Sequence, residues 1–287
     1  MSPKVKSFFD PVTNTVSHVV ADMGTKQCAI IDPVLGFDPK SGRTNTTAVD
    51  PVLAQIRKDD LSVQWIIETH AHADHLSAAQ IVKDKVGGLI CIGDQISKVQ
   101  ATWKDILNLS MDFATDGSQF DHLFSGGDTF HIGGLEACVL FTPGHTPADS
   151  TFIIGDAAFV GDTIFMPDYG TARVDFPGGD AEKLYESIHQ IFDLPGTTRL
   201  FMCHDYLPEG RSEFKWETTV AEEKKSNIHV HDGINKSDFV AMRKERDQTL
   251  DVPILLLPSI QVNINAGQMP RPEGNGLAYL KIPVNGL

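Results

Sequence analysis

Apolar, β-branched runs alternate with amphipathic segments along almost the whole chain. Residues 16–21, 27–32, 63–69, 88–92, 128–132, 135–141, 151–154, 157–160 and 198–203 read as strands, being short, rich in Val, Ile and Phe, and bounded by Gly, Asp or Thr. Other segments carry apolar residues at helical spacing. Asp50-Pro51 reads as N-cap and first-turn proline, opening a helix with Val52, Leu53 and Ile56 on its inner face. Asp180 caps a second helix with Leu184, Ile188, Ile191 and Phe192 on one face and Pro195-Gly196 beyond its end. Residues 76–85, 212–225 and 237–246 are predicted helices too. The tight connection Ile154-Gly155-Asp156-Ala157 predicts a hairpin. Strands and helices mixed in this way predict sheets covered by helices, an α/β or α+β sandwich rather than a plain βαβ repeat.

The pattern changes near residue 250. A short apolar run, Ile254-Leu255-Leu256-Leu257, is followed by a stretch rich in Pro, Gly and Asn. Residues 1–250 therefore read as the main, catalytic domain, and residues 251–287 as a C-terminal extension packed on it. No internal repeat or flexible linker interrupts the chain. With 287 residues and 41% hydrophobic positions it can bury a sizeable core without disulfides or a structural metal. Its four cysteines, Cys28, Cys91, Cys138 and Cys203, are widely spaced and lie in or at the end of apolar strands, which predicts buried, reduced thiols. No apolar run approaches the ~20 residues of a membrane helix. The opening decapeptide resembles neither a signal nor a transit peptide, so the expectation is a cytoplasmic protein with no membrane partner. A net charge of −14 argues against nucleic acid as a partner.

The candidate chemistry is concentrated in Thr69-His70-Ala71-His72-Ala73-Asp74-His75, which follows the apolar strand Trp65-Ile66-Ile67. Four metal-type donors in six positions, at the end of a rigid strand, can serve two adjacent metal positions. Three more donors follow the same rule. His145 comes after the 135–141 strand, Asp162 after 157–160, and His204 after 198–203. If these strands end on one edge of a sandwich, all seven side chains meet there, and Asp162 can bridge two ions. His18, His122, His131 and His189 are isolated and predict surface or hydrogen-bonded roles. His229-Val230-His231 has ligand-like alternation with nothing nearby to complete a site. Cys203 reads as a spacer for His204 rather than a nucleophile.

The succession T-H-A-H-A-D-H, P-G-H-T, G-D-T and C-H-D-Y resembles the metallo-β-lactamase superfamily, in its glyoxalase II-like branch. Ala172-Arg173-Val174-Asp175-Phe176, His204-Asp205-Tyr206, Trp216–Val220, the segment from Met242 to Asp247 and Leu257–Val262 look like the persulfide dioxygenases of that superfamily, and the likeness spans nearly the whole chain. The resemblance implies a four-layer αββα sandwich. It implies one Fe(II) per chain, held by His70, His145 and Asp162 as the catalytic set, and oxidation of glutathione persulfide by O2 to sulfite and glutathione. His72, Asp74, His75 and His204 would then orient ligands and water around the iron. The alternative is a glyoxalase II-like thioester hydrolase with two Zn(II), one on His70, His72 and His145, the other on Asp74, His75 and His204, with Asp162 between them. Counting ligands does not separate the two. Carboxylates of a glutathione substrate need local cations in so acidic a chain. Candidates are Arg173, Arg211, Lys224, Lys225, Arg243 and Arg246, with Tyr206 as a hydroxyl donor; Arg173, Tyr206 and Arg243 are the expected substrate-binding residues. A homodimer or higher homo-oligomer is compatible with the sequence.

Overall fold

The computed structural model describes residues 2–286. In chain order the elements are β1 (Lys4–Asp10), β2 (Thr15–Asp22), β3 (Gln27–Ile31), β4 (Val34–Asp38), β5 (Arg43–Asn45), α1 (Asp50–Asp59), β6 (Ser62–Ile67) and β7 (Leu76–Ser77). Then come α2 (Ala79–Val86), β8 (Leu89–Gly93), α3 (Ile96–Ile106), β9 (His122–Phe124), β10 (Thr129–Ile132), β11 (Leu135–Phe141), β12 (Ser150–Ile154) and β13 (Ala157–Phe159). The last are α4 (Ala181–Phe192), β14 (Arg199–Phe201), β15 (Glu217–Thr219), α5 (Val220–Ser226), α6 (Lys236–Asp247) and α7 (Leu256–Asn263).

Two six-stranded sheets form the centre, in the orders β1-β2-β3-β6-β8-β9 and β10-β11-β12-β13-β14-β15. Strand period fixes the layering, because successive side chains point to opposite faces. In β3 and β6, Ala29, Ile31 and Ile67 point between the sheets and meet Phe130, Val139, Phe152 and Phe159. Their neighbours Ile30 and Ile66 point outward, where Val52, Leu53 and Ile56 of α1, Val82 of α2 and Trp103 of α3 cover them. The outer face of the second sheet presents Ala158 and Leu200 to Leu184, Ile188 and Ile191 of α4 and Phe239 of α6. The result is the helix-covered sandwich that the pattern predicts, in the four-layer αββα form that the resemblance implies.

Two predicted helices are shorter than their patterns suggest. In 76–85 the first two residues form β7, which pairs with β4, and the helix starts at Ala79. In 212–225 the helix is confined to Val220–Ser226, because Glu217–Thr219 adds an edge strand to β14 and Thr219 then caps the helix through Glu222 N–H. Asp180 caps α4 as predicted, accepting from the amides of Glu182 and Lys183. For α1 the boundary shifts by one, with Val49 at the cap and Asp50 already in the first turn. The 154–157 hairpin forms, with Gly155 at φ +60°. Within 251–287, Leu256, Ile260, Val262 and Ile264 share the apolar cluster of α1, α2 and α3. Among the described residues no helix is long and apolar enough to cross a membrane.

Candidate metal centre

The loops that follow β6, β11, β13 and β14 converge at one edge of the sandwich and bring all seven predicted donors together. His70, His72, His75, His145, Asp162 and His204 are buried, and Asp74 is half-buried. Asp162 sits between two groups. Its Oδ2 lies 3.6 Å from His145 Nε2 and 3.9 Å from His70 Nε2, and its Oδ1 lies 3.4 Å from His204 Nε2. Asp74 Oδ2 lies 3.4 Å from the same His204 nitrogen. Within 4.8 Å of one another stand His70, His145 and Asp162; His72, Asp74 and His75; and His72, Cys203 and His204.

The second nitrogen of each imidazole shows what the cluster is built for. His145 Nδ1 bonds the Arg173 carbonyl at 2.7 Å, and His75 Nδ1 bonds the Leu76 carbonyl at 3.2 Å. His72 Nε2 bonds Asp32 at 2.9 Å; His70 Nδ1 meets Thr69 Oγ1 at 3.1 Å; His204 Nδ1 faces the Asn14 carbonyl at 3.3 Å. The other nitrogen turns into the cluster. His70 Nε2, His72 Nδ1, His75 Nε2, His204 Nε2 and Asp162 Oδ1 are buried without a hydrogen-bond partner in the chain. Buried polar atoms left unpaired cost roughly 1–3 kcal/mol each. Five of them in one cluster fit bound cations, and imidazoles oriented from behind by carbonyl or carboxylate are the usual support of metal ligands.

Electrostatics agree with this arrangement at His70 and His75. Burial pulls His70 well below its ordinary pKa and brings His75 down to about 4, in each case with help from neighbouring imidazoles, so both are neutral and free to donate a lone pair. Burial pushes the Cys203 thiol well above its usual range, which keeps it protonated; its Sγ lies 3.6 Å from Asp32 Oδ2, a packing and hydrogen-bonding role. Tyr206 is 36% exposed, and the low-dielectric pocket around its hydroxyl, with Asp74 and Asp162 nearby, raises its pKa, so the hydroxyl remains a donor.

Sequence reasoning missed four supporting residues. Asp32 follows β3 at φ +49° and accepts from Thr69 N–H and Oγ1 as well as from His72. It is an acid directly after an apolar strand, the same signal that marks Asp162. Asp149 is buried, its Oδ1 3.8 Å from His70 Nδ1, and burial raises it to about 6. Glu68 Oε2 lies 3.5 Å from His72 Nε2. Asn263, far away in the chain, has no sequence signal at all.

A cavity of about 230 Å³ opens beside His145, Asp162 and Asp74, with Phe165 and Phe176 among its apolar walls. Arg173, Tyr206, Arg243 and Arg246 also line it; Arg211, Lys224 and Lys225 do not. The Arg173 guanidinium is held by Asp175 at 2.6 and 2.7 Å. Arg243 is 1% exposed and bonds Asp247 and the Thr171 carbonyl. Arg246 has no carboxylate within 4 Å among the described residues and is exposed. Tyr206 stacks on Tyr169 at 5.0 Å. The remaining histidines stay outside the centre. His18 is buried between Ser7 and the Met202 carbonyl, and His229 accepts from Thr171 N–H.

Comparison with known proteins agrees with this geometry. Over 99% of each chain, the sequence is 51% identical to a probable metallo-hydrolase of Burkholderia pseudomallei. It is 48% identical to glyoxylase B2 of Dictyostelium discoideum, over 98% of this chain and 97% of that protein. It is 28% identical to the human mitochondrial persulfide dioxygenase ETHE1, over 70% of this chain and 68% of that one. The crystal structure of ETHE1 from Myxococcus xanthus superimposes with a TM-score of 0.73 at 27% identity, covering 92% of this chain and all of that one. The sequence profile of the metallo-beta-lactamase superfamily matches residues 10–204, a stretch that begins in β1 and ends on the last of the seven donors. With that match, the four-layer fold and the donor cluster at the sheet edge, this chain belongs to the metallo-beta-lactamase superfamily and is one of its enzymes.

Proposed function

We propose that the enzyme is an iron-dependent persulfide dioxygenase. Glutathione persulfide, O2 and water give glutathione and sulfite; the outer sulfur loses four electrons and dioxygen gains them. The observation that carries this reading is the position of one donor set. His70, His145 and Asp162 lie within 4.8 Å of one another, and His145 and Asp162 border the cavity, whereas His72 does not line it and its Nε2 bonds Asp32. Two imidazoles and a carboxylate at the edge of a cavity leave open positions for further ligands. Iron(II), when bound there, supplies the redox chemistry that joins dioxygen to sulfur.

The chain's own residues do the rest. The Arg173 carbonyl accepts from His145 Nδ1–H and so fixes the tautomer whose Nε2 faces the centre. Phe165 and Phe176 keep the cavity wall apolar. Arg246 is the cation left for a substrate carboxylate, and the protonated Tyr206 hydroxyl donates to the substrate. Arg173 and Arg243, engaged by Asp175 and Asp247, shape the wall between them.

A second reading, the dinuclear thioester hydrolase, draws on the unpartnered His72 Nδ1, His75 Nε2 and His204 Nε2 and on the names of the 48–51% identical relatives. Elemental analysis with an oxygen electrode separates the two. One iron per chain and oxygen uptake that depends on glutathione persulfide support the dioxygenase. Two zinc ions with thioester cleavage and no oxygen uptake sink it.

A further inference from the structure

The family match stops at residue 204, yet one side chain 59 residues later reaches the metal loop. Asn263 closes α7 and is 5% exposed. Its Nδ2 donates to the carbonyls of His72 and His75, each at 2.8 Å, and its Oδ1 accepts from Ser77 N–H at 2.8 Å. Both amide protons and the amide oxygen are therefore spent on the backbone of one loop, at two of its donor residues and just beyond. Ser77 in turn gives its hydroxyl to Glu68, whose other oxygen faces His72. The helix is not free to drift. Gln80 donates to the Ala266 carbonyl and Gln100 to the Ile264 carbonyl, each at 2.9 Å, and Ile260 and Val262 are buried in the cluster that holds Ala71, Ala73 and Leu76.

We infer that Asn263 is a positioning residue for the metal centre, and that the C-terminal helix is thereby part of the metal site. A loop of seven residues carrying four donors has many conformations, and fixing them in advance is what gives a site its affinity. A carboxylate at this position would keep the Ser77 contact and turn both donors into acceptors facing carbonyls. The inference needs a metal held by at least one donor of this loop, His70 among them; it does not depend on which metal or which reaction.

The test is cobalt(II) binding to the full chain, by competition with a chromogenic chelator and by the visible ligand-field spectrum. Asn263→Asp and Asn263→Ser are compared with Gln261→Ala, a change in the same helix whose side chain bonds the Leu257 and Lys281 carbonyls and not the loop. Both Asn263 variants should bind about 10–100-fold more weakly with an altered spectrum. Gln261→Ala should match the parent in both. Melting of the metal-free proteins checks folding; Asn263→Ser, which retains a donor, carries the test where Asn263→Asp is not folded. Parental affinity and spectrum in the Asn263 variants, or an equal loss in Gln261→Ala, overturns the inference. If the parent binds no cobalt(II) at all, the metal reading itself fails.

Discussion

Arg243→Met is the change whose cost follows most directly from the structure. The Arg243 side chain is buried, with Nε 2.9 Å and Nη2 2.7 Å from Asp247 Oδ1 and Nη1 2.9 Å from the Thr171 carbonyl. Asp247 Oδ2 also accepts from Val174 N–H at 2.9 Å. The pair thus staples Thr171 and Val174 to α6, and between them lies Arg173, whose carbonyl holds His145. Methionine fills most of the volume but leaves Asp247 buried and uncompensated. Breaking a buried pair in this way costs about 3–5 kcal/mol. The unfolding entropy of a chain this long is about 0.6 kcal/mol/K, so the melting temperature should fall by roughly 5–8 °C. Metal affinity should fall about tenfold as His145 loses its support. Adding Asp247→Asn removes the stranded charge and keeps an acceptor for Val174, so the double variant should recover more than half of the loss. Calorimetric or dichroism melts with a chelator titration measure both effects. A single variant that melts within about 2 °C of the parent, or a double variant no better than the single, refutes the reasoning.

The other predictions concern the site and its pH response. His145→Ala should abolish iron binding, while His72→Ala should retain one iron per chain under the dioxygenase reading and lose an ion under the dinuclear one; elemental analysis of both decides. Arg246→Ala should raise KM for glutathione persulfide about tenfold with kcat nearly unchanged, the loss of one charge-assisted hydrogen bond worth about 1.5 kcal/mol; steady-state oxygen uptake reads it. Burial lowers His18 from 6.5 to about 4, opposed by its bond to the Met202 carbonyl and by Asp32. The folded state therefore favours the neutral ring, and its contribution is present above pH 6.5 and lost as pH falls through 4. Between pH 7 and pH 4.5 the loss should be about 2.5 kcal/mol. Urea midpoints of the parent against His18→Gln, at pH 7 and 4.5, should show that share of the acid sensitivity gone from the variant.

The layers and the donor cluster were legible because each rests on a local rule. Period-two apolar runs fix which face of β3 or β6 is inside, and three of the predicted donors, His70, Asp162 and His204, come three residues past a strand end. What the sequence hid is what depends on distant pairing. Glu217–Thr219 has no strand signal of its own and becomes β15 because β14 offers an unpaired edge. The 254–257 apolar run gave no helical period, yet it leads into α7, which packs under the metal loop. Asn263 is a single amide in a Pro- and Gly-rich tail, and only the fold places it against His72 and His75. Arg173 and Arg243 were expected to meet substrate as cations; the structure places them at the cavity and gives each a carboxylate partner, which no spacing rule reveals.

The central claim is a single redox ion on His70, His145 and Asp162. Its most direct measurement is simultaneous oxygen consumption and sulfite formation by the anaerobically iron-loaded enzyme given glutathione persulfide. The account predicts one iron per chain and one O2 consumed per sulfite released, with zinc-loaded enzyme inactive. Two metals per chain and full activity toward a thioester without oxygen uptake would contradict it.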